Sequence, residues 1–374
     1  MNRYKPKSFQ LPNRRFPRFL FTDIFIVDNN IGVISIVYPD ENIEFDKIEC
    51  FLEIDKLGKI KFTKKIIHRV YESSVYLQTE NDILSKFISK HHEIKVTIKY
   101  QDITNNFILK NISYNPHNLG MMTLFKDDYY LLKIWLDYNI KLGVSYFILY
   151  YNREIDTKVL DLLEEYGEKV ILVEWNYVHK LPEILHKDSS VKILDNKLKV
   201  NHHHAQPMAM AHCLNHLGKK CKWLGFFDLD EYLIPKNDTS LLKLLDKYIY
   251  NKTSAIKFQC NWAKLDGYDI NRINPNDSIS IFNTHNTFRK IETEGTFFRT
   301  KCIVNPNNVI VAGVHRLKKH TQEEVCLEPS IASFIHYYNF SGGWGGRNKR
   351  NPLKDQKLKL ETRNVQLLNY FDLG

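Results

Sequence analysis

The sequence predicts an α/β chain, with a mostly parallel sheet flanked by helices and a smaller β-rich domain in front of it. Three observations carry this reading. Between Ile31 and Ser113, short apolar runs with strand-like character recur between polar turns. From Met121 onward the runs alternate strand, helix, strand, helix, strand. Near the middle, KWLGFFDLDEYLIP (Lys222–Pro235) places Asp228, Asp230 and Glu231 directly after an apolar half.

Size and composition permit such a fold. The chain has 374 residues, 43% hydrophobic and 13% aromatic, which excludes a disordered polymer. Its formal charge of +10, from 53 basic and 43 acidic residues, admits nucleic acid, an anionic membrane or a phosphorylated small molecule as partner. The basic groups KFTKK, HRLKKH and GGRNKRNPLK read first as solvated surface. No recognised nucleic-acid-binding pattern accompanies them, so specific nucleic-acid binding is not expected, and no complete G-x-x-x-x-G-K-[ST] loop points to an ATPase. The cysteines at 50, 213, 221, 260, 302 and 326 form no C-x-x-C pair and read as occasional buried thiols. No run approaches the roughly 18 apolar residues of a bilayer span. A soluble, cytoplasmic protein without signal peptide or transmembrane anchor is therefore expected.

Taken in order, residues 1–30 are basic and contain prolines, and they predict an N-terminal arm. Residues 31–118 form the β-rich accessory domain, with strands in IGVISIVY, CFLEI, SSVYLQ, EIKVTIKY and NFILKNIS and a short helix in NDILSKFISK. Residues 119–345 form the main domain. There DDYYLLKIWLDYNIKLG has a helical apolar period and Gly143 near its end, and the strand SYFILYY follows. The helix TKVLDLLEEYG, the strand KVILVEW, the helix QPMAMAHCLNHLG and the buried strand WLGFFDL come next. Beyond Pro235, TSLLKLLDKYI predicts a helix and SAIKFQCNWAK a strand, and residues 266–298 predict polar site loops. RTKCIVNP, NVIVAGVH and IASFIHYYNF return to strands, and residues 346–374 predict a helix or tail.

The three acids thus fall at the carboxyl end of a predicted strand, where open α/β sheets place ligands. Alternate residues of an extended strand share a face, so Asp228 and Asp230 are expected to converge. Their repulsion would be offset by a hard divalent cation, Mn2+ or Mg2+, which can also neutralise a departing diphosphate. D-x-D alone is common, and its plain reading is a solvated acidic turn. The apolar run before it and Glu231 after it argue for the site. His315, ending VAGVH, is the first candidate for a third ligand and His336, in IASFIHYY, the second, with neither as the remaining alternative. His202, His203 and His204 are adjacent, so they read as a loop or helix cap near substrate rather than a metal cluster.

The segments KDDYYLLKIWLDYNIKLGVSYFILYYN, QPMAMAHCLNHLGKKCKWLGFFDLDEYLIP, RTKCIVNP with VAGVH, and IHYYNF together resemble family 92-like glycosyltransferases. The resemblance covers about Met121 to Phe340. It implies a GT-A nucleotide-sugar-binding domain and metal-dependent transfer of a sugar, often from a UDP-sugar, to a hydroxyl of a glycan or glycoprotein. Asp228 and Asp230 match the family's D-x-D motif and His315 its downstream V-H position. Lys126-Asp127-Asp128 stands where related enzymes often have Arg/Lys-Asn-Glu, and YYN lacks their Asp-Asn ending although Asn152 remains.

On this resemblance Asp127, Asp128 and Asn152 contact the nucleotide, unless the two acids simply cap the following helix. Arg299 and Lys301 reach phosphate oxygens or form a basic exposed strand. The GT-A pattern favours Asp266 as the base, with Glu231 as the alternative that otherwise holds the motif or binds sugar hydroxyls. Trp262 is a sugar-stacking surface or a core position, and GGWGGR an acceptor loop or a flexible connection. The β-rich segment lies outside the resemblance, free for acceptor binding or assembly. Two other classes remain: a non-catalytic carbohydrate-binding or assembly protein, and a metal-dependent phosphoryl-transfer hydrolase.

Overall fold

The computed structural model describes residues 1–11, 18–36, 47–52, 59–68, 74–111, 115–177, 205–235, 240–248, 250–265, 287–291, 299–337 and 360–364. Among the described residues the main body is a 12-stranded mixed sheet. The elements that build the site are β1 (His117–Phe125), α1 (Leu132–Lys141), β2 (Tyr146–Tyr151), α2 (Thr157–Leu163), β3 (Val170–Glu174), α3 (Ala205–Asn215) and β4 (Cys221–Phe226). They are followed by β5 (Glu231–Pro235), β6 (Thr253–Leu265), β7 (Thr300–Val304) and β8 (Ala332–Tyr337).

The order β3–β2–β1–β4 is parallel throughout, as the alternating runs predict. Beyond β4 the sheet changes character. β7 runs antiparallel to β4 and β6, and β5 runs antiparallel to β8, which lies parallel to β6. The sheet is therefore mixed rather than mostly parallel. Period-2 runs identify strands but carry no sign of their direction, which is why the second half was not foreseen.

β2 shows why its sequence is continuously apolar. Phe147, Leu149 and Tyr151 enter the core under α1 and α2, while Tyr146, Ile148 and Tyr150 enter the core under α3. A strand covered on both faces has no polar side to show. α3 is likewise buried almost all round, from Ala205 through Leu214. Gly143 ends α1 with φ +96°, the left-handed conformation that glycine adopts without steric cost. At Gly120 a Cβ would meet Cys221 Sγ at 2.5 Å, so glycine there permits the close approach of β1 and β4.

The N-terminal part contains two four-stranded sheets, one from Asp23–Val27, Asn30–Ile36, Ser74–Thr79 and Phe62–His68 and one centred on Glu93–Tyr100. The short helix Asp82–Ile88 starts on Asn81, whose side chain accepts from the amides of Ile83 and Leu84. Residues 1–30, expected as an arm, instead supply strands. Asn2–Tyr4 extends the main sheet by pairing parallel to β3. Asp23–Val27 forms a hairpin with Asn30–Ile36 through Asp28 and Asn29, whose φ values of 46° and 55° suit a two-residue turn. Residues 360–364 form a strand beside Thr287–Ile291, in place of the expected terminal helix or tail. Among the described residues no helix is long and apolar enough to cross a membrane.

A polar network centred on the buried Asp23 and His212 joins the N-terminal part to α3. His212 Nε2 lies 2.7 Å from Asp23 Oδ2 and His212 Nδ1 lies 2.7 Å from the Tyr150 hydroxyl. Tyr4 donates to the same Asp23 oxygen at 2.6 Å, and the Lys7 amide donates to the other at 2.7 Å. Phe25 stacks on His216 one turn along, with ring centroids 4.2 Å apart. Removing one member leaves the rest buried and unsatisfied. Asp23→Ala should therefore lower the unfolding free energy by roughly 2–4 kcal/mol. The exposed control Lys158→Ala should leave the urea midpoint in place; equal midpoints for the two variants would show that the network contributes nothing.

Candidate functional site

The carboxyl ends of β1 and β4 meet where the strand order reverses, since β1 lies between β2 and β4. A pocket opens there, walled by Phe226 and Met210 and bordered by Thr123, Gln206, Asp228 and Lys301. The Thr123 hydroxyl is buried and has no hydrogen-bond partner among the described residues. The first turn of α3 brings in Gln206, whose amide donates to Asp228 Oδ1 at 3.1 Å.

β4 ends at Phe226, so the acids do not continue an extended strand. Phe227–Asp230 turn the chain into β5 instead. The turn is closed twice: the Glu231 amide donates to the Asp228 carbonyl at 3.0 Å, and the Asp228 amide donates to Glu231 Oε2 at 2.9 Å. The turn sends the two aspartates to different partners. Asp228 meets Gln206 and Lys301, whereas Asp230 Oδ2 lies 3.3 Å from His336 Nε2. The convergence expected from strand alternation is replaced by this division.

Lys301, on β7, places its Nζ 2.9 Å from both Asp228 Oδ2 and Glu231 Oε2. Its side chain is 2% exposed, so it is no exposed basic strand residue. Burial alone would lower its pKa, but the two carboxylates outweigh burial and raise it. Burial raises the Glu231 pKa, and the charges of Lys301 and His336 oppose that rise. Across the β5–β8 ladder Glu231 faces His336 directly, and its Oε1 lies 3.4 Å from His336 Nδ1. Among the described residues, Asp230, Glu231 and His336 each offer a ligand atom within 4.8 Å of the others, and all three are buried. Two oxygen donors and an imidazole suit a divalent cation such as Mn2+ or Mg2+.

His315 lies outside that group of three. It follows a short strand at Val309–Val311, and the Thr300 hydroxyl donates to its carbonyl. Loss of hydration around the ring, joined by the Lys301 and Arg299 charges, holds its pKa down to about 4, although the residue as a whole is exposed. Arg299 itself is exposed and joins β6 through its carbonyl, which accepts from the Cys260 amide. Asn152 is buried, and its side-chain amide donates to the carbonyls of Trp175 and Tyr177, each at 2.7 Å. Asp127 pairs with Arg153. Asp128 is buried, accepts from the Tyr130 hydroxyl at 3.3 Å and makes no side-chain capping bond to the helical turn that follows. Asp266, His202, His203, His204 and GGWGGR lie outside the described residues. The side-chain setting of Trp262 lies outside them too.

Sequence reasoning ranked His336 second and left Lys301 evenly balanced. A signal for His336 was present: EYLIP and ASFIHY are apolar runs of five and six residues, and pairing them antiparallel sets the histidine beside the acids.

Residues 119–366, well over half of the chain, match the model of Glycosyltransferase family 92, and the chain belongs to that family. No curated protein matches the chain.

The setting of His315 has a measurable consequence. Its native pKa lies below the ordinary value near 6.5, so the native state protonates later than the unfolded chain as pH falls. Its contribution to stability is whole above about pH 6.5 and is lost as pH falls toward 4. In an NMR titration the His315 ring should show a midpoint of about 4. A midpoint near 6.5 would mean that the ring is fully hydrated and that neither Lys301 nor Arg299 faces it.

Proposed function

We propose, starting from membership of family 92, that the chain is a GT-A-type, divalent-cation-dependent glycosyltransferase. It would move a sugar from a nucleotide-sugar donor, a UDP-sugar, to a hydroxyl of a glycan or glycoprotein. The observation that carries this reading is the buried Asp230–Glu231–His336 group beside a pocket at the carboxyl edge of the sheet.

Asp230, Glu231 and His336 would hold the cation, and His315 is the nearby neutral imidazole that could join them. The cation, Mn2+ or Mg2+, supplies charge to neutralise the diphosphate as it leaves. Lys301 and Arg299 put further positive charge on the same side, Lys301 fixed between carboxylates and Arg299 at the surface. Asp127, Asp128 and Asn152 follow the ends of β1 and β2, and we keep them as the residues that would contact the nucleotide. Thr123 offers a buried hydroxyl to a ligand group entering between β1 and α3.

A transferase also needs a group to accept the proton of the incoming hydroxyl. Glu231 is poorly placed for that role, because its oxygens already face Lys301, the Asp228 amide and His336. We assign it to holding the site and retain Asp266 as the base.

The test is a screen of UDP-sugars for manganese-dependent transfer or hydrolysis. Asp230→Ala and His336→Ala should each lower turnover roughly 100-fold or more. Donor binding without turnover across the screen would favour a non-catalytic carbohydrate-binding protein. Unchanged turnover in both variants would remove these residues from the site.

A further inference from the structure

Glu231 has two oxygens, and they face two different cation positions. Oε1 lies toward His336 and Asp230, the group able to hold a metal ion. Oε2 lies 2.9 Å from the Lys301 ammonium, which is equally close to Asp228. A carboxylate bridging two adjacent cation positions is the layout of a two-metal centre, in which paired ions clamp the attacking and leaving oxygens of a phosphoryl group. Here one of the two positions is filled by the chain itself.

The charges support that reading. The carboxylates of Asp228, Asp230 and Glu231 outnumber the one buried ammonium, that of Lys301, which leaves an excess of negative charge for a cation. The ammonium is held by more than proximity. Lys301 is 2% exposed, lies on an interior strand between β4 and β6, and pairs with an acidic turn closed by two hydrogen bonds. Gln206 occupies the other oxygen of Asp228.

We infer that Lys301 is a built-in second cation. It fills the position that a second metal ion takes in two-metal phosphoryl-transfer sites and limits the centre to one divalent ion. It also sets a permanent positive charge beside that ion, facing the same diphosphate. The inference rests on the metal-dependent reading above and deepens it. A one-ion centre with a fixed ammonium suits a diphosphate leaving as a unit, and it lacks the second ion that a two-metal hydrolase uses.

The experiment is a Mn2+ titration of the full chain, followed by calorimetry for stoichiometry and by electron paramagnetic resonance for coupling between ions. The wild type should bind one Mn2+ per chain with an uncoupled spectrum. Lys301→Ala should accept a second Mn2+ and show exchange-coupled signals. Lys301→Arg, which keeps the charge, should remain at one, as should the double variant Lys301→Ala with Asp228→Asn. Two Mn2+ in the wild type would overturn the inference, and that arm needs no variant to fold. One Mn2+ of equal affinity in both wild type and Lys301→Ala would overturn the role of Lys301 while leaving the metal reading intact. No Mn2+ binding to the wild type would overturn both.

Discussion

Moving the Lys301 ammonium and the Glu231 carboxylate out of water costs several kcal/mol per ion, and their attraction offsets this only when the geometry is close to ideal. Much of the surrounding structure is arranged around that condition. β7 must lie between β4 and β6 for the lysine to reach the turn, and the turn must be closed from both ends for its carboxylates to stay in place. Gln206 must arrive on α3 to take the second oxygen of Asp228. A helix, a strand and a turn from separate parts of the chain are therefore tied to one another through a few polar contacts.

The same condition explains which parts of the site could be read from sequence. The apolar runs of β1, β2, β3 and β4 announced themselves because each is buried on both faces or bounded by an amphipathic helix. The acids stood out because an apolar strand rarely ends in three of them. Lys301 stayed evenly balanced between a phosphate contact and an exposed strand, since a lysine before an apolar run looks the same whether it points to solvent or into an ion pair. His315 and His336 both end or interrupt strand-like runs, and only the antiparallel register of β5 and β8 separates them. Local pattern records burial, whereas strand direction and pairing are set by contacts between distant residues. For the same reason the mixed half of the sheet was not foreseen.

The first thirty residues show a different limit. Their prolines and basic residues resemble a loose extension, yet Asn2–Tyr4 completes the edge of the main sheet and Asp23 reaches into the core beneath α3. The Asp28–Asn29 turn was a legible hairpin signal, obscured by the polar run around it. Through His212, the N-terminal part contacts the helix whose first turn holds Asp228. It is thus continuous with the support of the site.

The pairing of Glu231 with His336 carries a consequence for how this chain can change over evolutionary time. The two meet because they are opposite each other on neighbouring strands, and a slip of one residue would turn one of them to the other face. Insertions and deletions in the connecting segments between β5 and β8 are compatible with this meeting, because loop length alters closure entropy only slowly. A single-residue insertion inside either strand is not. Diversity among descendants of this architecture should therefore accumulate in the lengths of the connections, while the spacing within EYLIP and ASFIHY stays fixed.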